Sequence, residues 1–206
     1  MSIVVSTTTI SEQTKGHPGL NPKGEEEGKD KVKVIVTILL LFTGYIAGPL
    51  TASSGGTNDH LCLPENPTWN KVVEGEGYSR MITGVNLENV MASLVSDANN
   101  EGKPLANSGS RCAVCYRFKR SMVQMIPAQT ECPSRWTKEY GGYLASDYTG
   151  SRRVSYRTSA ICLDEAPESA DSAGKSYLYP VTAECGALPC DKFPIGHELA
   201  CVVCSK

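Results

Sequence analysis

Two pairs of cysteines, each separated by two residues, are the part of this chain closest to a chemical motif. Cys112 and Cys115 enclose Ala-Val, and Cys201 and Cys204 enclose Val-Val. Thiolates at this spacing can bind one zinc ion together. The enclosed residues, however, favour an extended strand over the tight turn of a zinc knuckle, and side chains three apart in a strand point to opposite faces. We therefore expect each cysteine to form its own disulfide, with zinc binding and redox chemistry as the alternatives.

The composition agrees with a disulfide-bonded protein in an oxidising compartment. Nine of the 206 residues are cysteine, about twice the ordinary frequency. The 20 Lys and Arg residues nearly balance the 22 Asp and Glu residues, which argues against a nucleic-acid partner. His17, His60 and His197 are scattered, and no nucleophile motif accompanies them. We expect no catalysis, no cofactor and no bound metal, and we interpret His197 as structural.

Three short motifs occur twice in the same order, at similar offsets, which indicates an internal repeat. The second copy carries six cysteines and the first only three. The first copy has no counterpart of the Cys185 and Cys190 pair. It also lacks one for Cys132, because Val34 stands at that position of the repeat. The matched stretches are Gly44–Ala47 with Gly142–Ala145, Leu61–Pro67 with Ile161–Pro167, and Cys112–Cys115 with Cys201–Cys204.

The repeat and the composition predict four regions. Residues 1–33 are polar, glycine-rich and charged, as in a disordered tail. Residues 34–42 are apolar and form either a buried strand or part of an uncleaved signal anchor. We expect the protein to bind a membrane only if residues 34–52 are such an anchor. Residues 43–128 form the first, incomplete β module, and 129–206 the second, complete six-cysteine module.

Short apolar stretches broken by Gly, Pro, Ser or Asn predict an all-β, disulfide-rich fold of two tandem related modules. One helix is predicted in the first module, from Asn86, as its cap, to Ala98. We interpret it as an inserted packing element, with Leu87, Val90, Met91, Leu94 and Val95 on one face. The predicted strands after residue 110 are Cys112–Tyr116, Ser121–Ile126, Val154–Arg157, Ala160–Leu163, Tyr177–Ala183 and Leu199–Cys204.

Six stretches of the chain together resemble those of a known family. They are Ser110–Cys115, Met122–Thr130, Cys132–Trp136, Glu139–Leu144, Tyr179–Cys190 and Cys201–Lys206. Through them the chain, from about Thr43 to Lys206, resembles the carboxy-terminal non-collagenous domain of type IV collagens, and more closely that of the spongin-like short-chain collagens of invertebrates. The chain departs from that family in two ways. It has no Gly-x-y tract, and the first Cys-Pro segment is missing, which indicates a truncated or altered N-terminus.

The resemblance implies a secreted extracellular matrix protein without catalysis, whose β modules drive association with further copies, for instance as a trimer, or with other matrix chains. It also implies a disulfide scheme in which the first module cysteine joins the last, the second the fifth and the third the fourth. Cys115 would then be free. The implied pairs are Cys132–Cys204, Cys162–Cys201, Cys185–Cys190 and Cys62–Cys112.

Two further groups of residues were candidates for binding. Trp136, Tyr140 and Tyr143 could form a platform for stacking a sugar ring, which makes a carbohydrate-binding module the alternative function; we favour core packing for them. Four acidic residues before Gly174 could bind calcium, but their spacing matches no ordered loop, so we interpret them as a solvated loop. These residues are Asp164, Glu165, Glu168 and Asp171.

Overall fold

The computed structural model describes residues 38–50, 57–69, 82–98, 100–147, 158–170, 172–184 and 186–206. This part of the chain is mostly β-sheet and contains three disulfides, as expected for an all-β, disulfide-rich protein. In chain order the elements are β1 (Ile38–Pro49), β2 (Leu61–Pro64), β3 (Ile82–Leu87), α1 (Asn89–Leu94), β4 (Arg111–Arg117), β5 (Val123–Pro127), β6 (Thr137–Asp147), β7 (Ile161–Asp164), β8 (Ser176–Pro180) and β9 (Ala200–Ser205).

The first half of the sheet is built around β1. This strand pairs antiparallel with β2, β4 and β3. Gly44 lies opposite Pro64 of β2 and opposite Cys112 of β4. A β-bulge interrupts the β1–β4 register between Leu40 and Phe42.

The second half is built in the same way around β6. Gly142, the repeat counterpart of Gly44, lies opposite Asp164 of β7 and Cys201 of β9. Strand β8 pairs with the last residues of β6, as β3 does with those of β1. A bulge interrupts the β6–β9 register between Lys138 and Tyr140, at the positions that correspond to Leu40 and Phe42. The two halves therefore share strand order, register and bulge.

The halves join directly, because β3 and β8 pair in parallel. All nine strands are thereby hydrogen-bonded into one sheet. The larger core cluster also takes residues from both halves, among them Val85, Leu87 and Met91 from the first and Leu163 and Leu178 from the second. Such shared burial of apolar surface stabilises the halves against each other as well as internally.

The division drawn at residue 128 separates strands that pair. Strand β5 lies before that boundary but pairs antiparallel with β9, from Val123 opposite Ser205 to Pro127 opposite Cys201. Residues 38–42 lie in β1, so this part of the apolar segment is a strand, but Leu39, Leu40 and Leu41 are exposed and the strand is not buried as expected. Residues 1–33 and 34–37, like the strand predicted at 154–157, lie outside the described residues. No helix in the described ranges is long and apolar enough to cross a membrane.

The helix is shorter than the sequence pattern predicts. It spans Asn89–Leu94, and its cap is Glu88, whose carboxylate accepts a 2.7 Å hydrogen bond from the backbone N–H of Val90. The predicted cap, Asn86, is instead fully buried in β3. The prediction was wrong at this end because Leu87, at the end of a strand, and Met91, in the helix, are both buried and mimic one helical face.

Candidate functional site: the disulfide framework and the Cys115 surface

Three disulfides tie the sheet together across its central strands. Cys62 and Cys112 join β2 to β4, which both pair with β1, and their Cα atoms are 5.8 Å apart. Cys162 and Cys201 join β7 to β9 around β6 in the same way, at 5.7 Å. The third disulfide joins Cys132, ahead of β6, to Cys204 of β9. These are three of the four pairs that the resemblance implies.

The fourth implied pair stays a prediction. Cys190 is disulfide-bonded, but Cys185 lies outside the described residues.

Cys201 and Cys204 are not available together as metal ligands, because each is bonded to a different cysteine. Cys201 bonds to Cys162 and Cys204 to Cys132, so the two thiols of one Cys-x-x-Cys belong to different cross-links. No group of three or more metal-ligating side chains lies together in the part of the chain that the structure describes.

Glycine at the centre of each half permits the close approach of β2 and β7. A Cβ atom on Gly44 would overlap the backbone carbonyl oxygen of Leu63, and one on Gly142 would overlap that of Leu163. Any other residue would force the neighbouring strand, with its disulfide, away from the central strand. The Gly-Tyr pairs that mark the repeat in the sequence are therefore structural.

Cys115 is the free cysteine among the described residues. It lies on β4 opposite Leu40, as Cys204 lies on β9 opposite Lys138. The pKa of its thiol is raised above the ordinary value, first because the side chain is partly buried and second because the Glu139 carboxylate is nearby. Glu139 also accepts a 2.9 Å hydrogen bond from Nε of Arg117. Cys115 is therefore a protonated, weakly nucleophilic thiol at neutral pH.

Exposed apolar side chains lie near this thiol along β1 and β4, on both faces of the strand pair. Leu40 lies opposite Cys115 and shares its face, whereas Leu39 lies opposite Tyr116 and points to the other face. The Tyr116 ring packs edge-on against Phe118, with 5.2 Å between ring centroids. The leucines and the two aromatic side chains are each 44–50% exposed. We call this set the Cys115 surface; it comprises Leu39, Leu40, Leu41, Cys115, Tyr116 and Phe118.

The acidic segment after β7 exposes the side chain of Glu165, as the solvated-loop interpretation predicts, but the segment also makes backbone contacts that the sequence did not indicate. Its backbone is hydrogen-bonded to the first half of the chain. The carbonyl of Glu165 accepts from the N–H of Ser96 at 2.7 Å, and that of Glu168 accepts from the N–H of Arg111 at 3.0 Å. The prediction missed this because the donors lie far away in sequence. Asp164 caps its own turn by accepting from the N–H of Ala166, and Asp171 lies outside the described residues.

Two buried asparagines hold the same segment. Asn86 donates to the carbonyl of Gly174 at 3.1 Å and accepts from its N–H at 2.6 Å. Asn100 donates to the carbonyl of Pro167 and accepts from the N–H of Ser169, at 2.9 and 2.6 Å. Each amide thus satisfies a backbone donor and a backbone acceptor in the interior, where an unpaired group would be costly. The segment is a contact between the halves.

The proposed sugar platform does not form. Tyr140 is buried, and its hydroxyl donates to the carbonyl of Cys162 at 3.2 Å. Tyr143 packs against the larger core cluster, and Trp136 is half-buried. With Tyr140 buried, the three rings do not form one exposed stacking surface. Tyr140 and Tyr143 pack against the core clusters as the favoured interpretation predicts, whereas Trp136 is in neither cluster.

The structure brings together one pair that sequence reasoning missed. Nε2 of His60 lies 3.5 Å from Oδ1 of Asp147, and both side chains are almost completely buried. In the described part of the chain neither ring nitrogen of His60 has a hydrogen-bond partner, so the pair lacks the bonded nucleophile that covalent catalysis needs. No local signal could have revealed it, because the two residues are far apart in sequence. His197 is exposed near β9, and His17 lies outside the described residues.

Comparisons with known proteins identify no relative. No protein-family model matches the chain, and neither a curated protein nor a solved structure matches it.

Proposed function

We propose that this chain is an extracellular matrix module that associates with further chains and performs no catalysis, in the manner of collagen terminal domains. The observation that carries the proposal is the repeated cross-link. Cys62–Cys112 and Cys162–Cys201 hold equivalent strands in equivalent registers of one sheet. Disulfides at these positions persist outside the reducing cytosol, which supports secretion.

Support for the association step comes from the surface rather than from the framework. The exposed leucines and aromatic rings of the Cys115 surface are concentrated at one end of the β1–β4 pair. Clusters of exposed apolar side chains are typical of regions that bind another protein. The glycan-binding alternative is less favoured, because Tyr140, one of the three rings on which it rests, is buried and bonded to the backbone.

Expression of the full chain in animal cells tests the proposal. We expect the protein in the medium, with non-reducing peptide mapping recovering the three cross-links and sedimentation velocity showing self-association that increases with concentration. Retention in the cytosol with reduced thiols would contradict secretion. A strict monomer at every concentration and redox state would contradict association, and specific capture on immobilised glycans by that monomer would favour the alternative.

A further inference from the structure

Among the described residues, strand β9 is covered on its outer edge by a paired strand and a disulfide, and the corresponding edge of β4 has neither. Strand β9 pairs with β6 on one side and with β5 on the other, and its Cys204 is bonded to Cys132. In the described part of the chain, β4 pairs with no strand except β1, and its Cys115 has no disulfide. An open strand edge is a template for pairing with another chain.

The side chains near this edge also differ in polarity between the two halves. The counterparts of Leu39, Leu40 and Leu41 in the second half are Thr137, Lys138 and Glu139, which are polar. The leucines are nonetheless exposed, at 47%, 44% and 50%. The first half thus carries apolar residues where the second, with its edge covered, carries polar ones. This is the pattern expected of a surface that a partner covers.

The segment that stands at the position of β5 in the repeat is a poor candidate to cover this edge. The repeat offset between Gly44 and Gly142 places the counterpart of β5 at residues 25–29, which read Glu-Glu-Glu-Gly-Lys rather than the Val-Gln-Met-Ile-Pro of β5. Charged residues and glycine are poor strand formers. The counterpart of Cys132 is Val34, and the other described cysteines are all disulfide-bonded. With an odd number of cysteines, at least one lacks a partner within the chain.

We propose that a second copy of this chain covers the Cys115 surface, and that the two Cys115 residues form an intermolecular disulfide. The inference rests on the proposed function and names the surface through which association takes place. A twofold axis beside Cys115 would set the two β4 strands antiparallel with Cys115 opposite its equivalent. Directly opposite Cα atoms in antiparallel strands are about 4.5–5.5 Å apart, within the range of about 4.4–6.8 Å that a disulfide spans.

The oxidant is a small-molecule disulfide such as glutathione disulfide. The thiolate of one Cys115 attacks it, which forms a mixed disulfide and releases one glutathione thiolate. The thiolate of the second Cys115 then attacks the protein sulfur of the mixed disulfide and releases the second glutathione. Two protein thiols are thereby oxidised to one disulfide while one glutathione disulfide is reduced to two thiols.

The test compares the full wild-type chain with Cys115→Ser, Leu40→Lys and a control, Leu188→Lys. Leu40→Lys installs the residue found at the equivalent position of β6, and Leu188 is a matched control because it is 42% exposed outside this surface. Each protein is incubated in a glutathione redox buffer and analysed by non-reducing electrophoresis, peptide mapping and sedimentation velocity. Circular dichroism shows that each variant is folded.

We expect a covalent wild-type dimer whose linking peptide contains Cys115 from both chains, and the same dimer for Leu188→Lys. Cys115→Ser should form no covalent dimer but still associate reversibly, and Leu40→Lys should associate at least tenfold more weakly.

Three outcomes would overturn the inference. They are a monomer that carries glutathione on Cys115, a dimer linked through another cysteine, and a monomer that sediments with phosphatidylcholine vesicles. If the wild type associates and both Cys115→Ser and Leu40→Lys leave that association unchanged, this surface is wrong while the proposed function stands. A wild-type protein that stays monomeric in every condition would contradict both this surface and the association step of the proposed function.

Discussion

The two halves of the sheet share a framework and differ in what they show to solvent. Around Gly44 and Gly142 the register, the bulge and the disulfide coincide, because the close approach of three backbones leaves no room for variation. At the outer edge the halves part: β9 is closed by β5 and by a disulfide, whereas β4 carries a free thiol among exposed leucines. The two halves are alike where backbones contact each other and differ where side chains face solvent.

The largest expected effect tests whether the equivalent disulfides contribute equally. Replacing Cys62 and Cys112 by Ala should lower the free energy of unfolding by about 2–5 kcal/mol, and replacing Cys162 and Cys201 should lower it by a similar amount. The loops that the two cross-links close are of similar length, with separations of 50 and 39 residues. Urea denaturation of each variant measures both values. A cost confined to one half would break the equivalence.

Alanine at the central glycines tests the shared backbone contact. Gly44→Ala and Gly142→Ala should each lower the free energy of unfolding by about 1–3 kcal/mol or more, because the new methyl group overlaps a carbonyl oxygen of the neighbouring strand. Gly102→Ala is the control for loss of glycine, since open space surrounds that position, although its positive φ adds a small strain of its own. Thermal unfolding of the three variants measures the loss of stability. An equally small loss for all three would contradict the interpretation.

Removing a buried amide tests how tightly the halves are joined. Asn86→Ala should cost about 1–3 kcal/mol, because it leaves the N–H and the carbonyl of Gly174 without their partner. Asn58→Ala is the control, since its side chain is exposed. Hydrogen exchange should rise mainly at the contact between the halves. Exchange that rises only within β3 would show that the amide does not join them.

The smallest effect concerns the thiol that distinguishes the halves. Burial and the Glu139 carboxylate both raise the pKa of Cys115, so Glu139→Gln should lower it while the effect of burial remains. The thiolate then forms at lower pH, and alkylation of Cys115 by iodoacetamide near pH 8 should become faster. The pH profile of that rate, followed by mass spectrometry, should shift to lower pH. Glu131→Gln, whose side chain is exposed, should leave the profile in place.

The sequence predicted what local patterns and spacing determine. The two valines between the last cysteines indicated β9. The repeated Gly-Tyr motif marked equivalent positions in the two halves, but β6, the central strand of the second half, was not among the predicted strands. The disulfide partners followed only from the resemblance. The residues between the paired cysteines argue against a zinc site, but they do not show which cysteine bonds to which. Strand β3 was assigned in part to a helix, since Asn86 reads as a cap until its partner Gly174, 88 residues further on, is known.

The contacts between the halves could not be predicted for the same reason. Backbone donors of the first half meet the acidic segment, and His60 meets Asp147, only once the sheet has formed. Charge and polarity along the chain therefore gave no indication of these backbone contacts or of the buried His60 and Asp147 side chains. Such long-range pairings carry no periodic signal.

The parallel seam between β3 and β8 has a consequence for larger assemblies. Strands β3 and β8 hold equivalent places beside β1 and β6, but the last residues of β3, Val85 to Leu87, pair with the first residues of β8, Ser176 to Leu178. The contact therefore joins non-equivalent positions of the two halves. A junction of that kind is head-to-tail and not self-complementary. Stacking a third unit by the same geometry would lengthen a row of units instead of closing a ring of two.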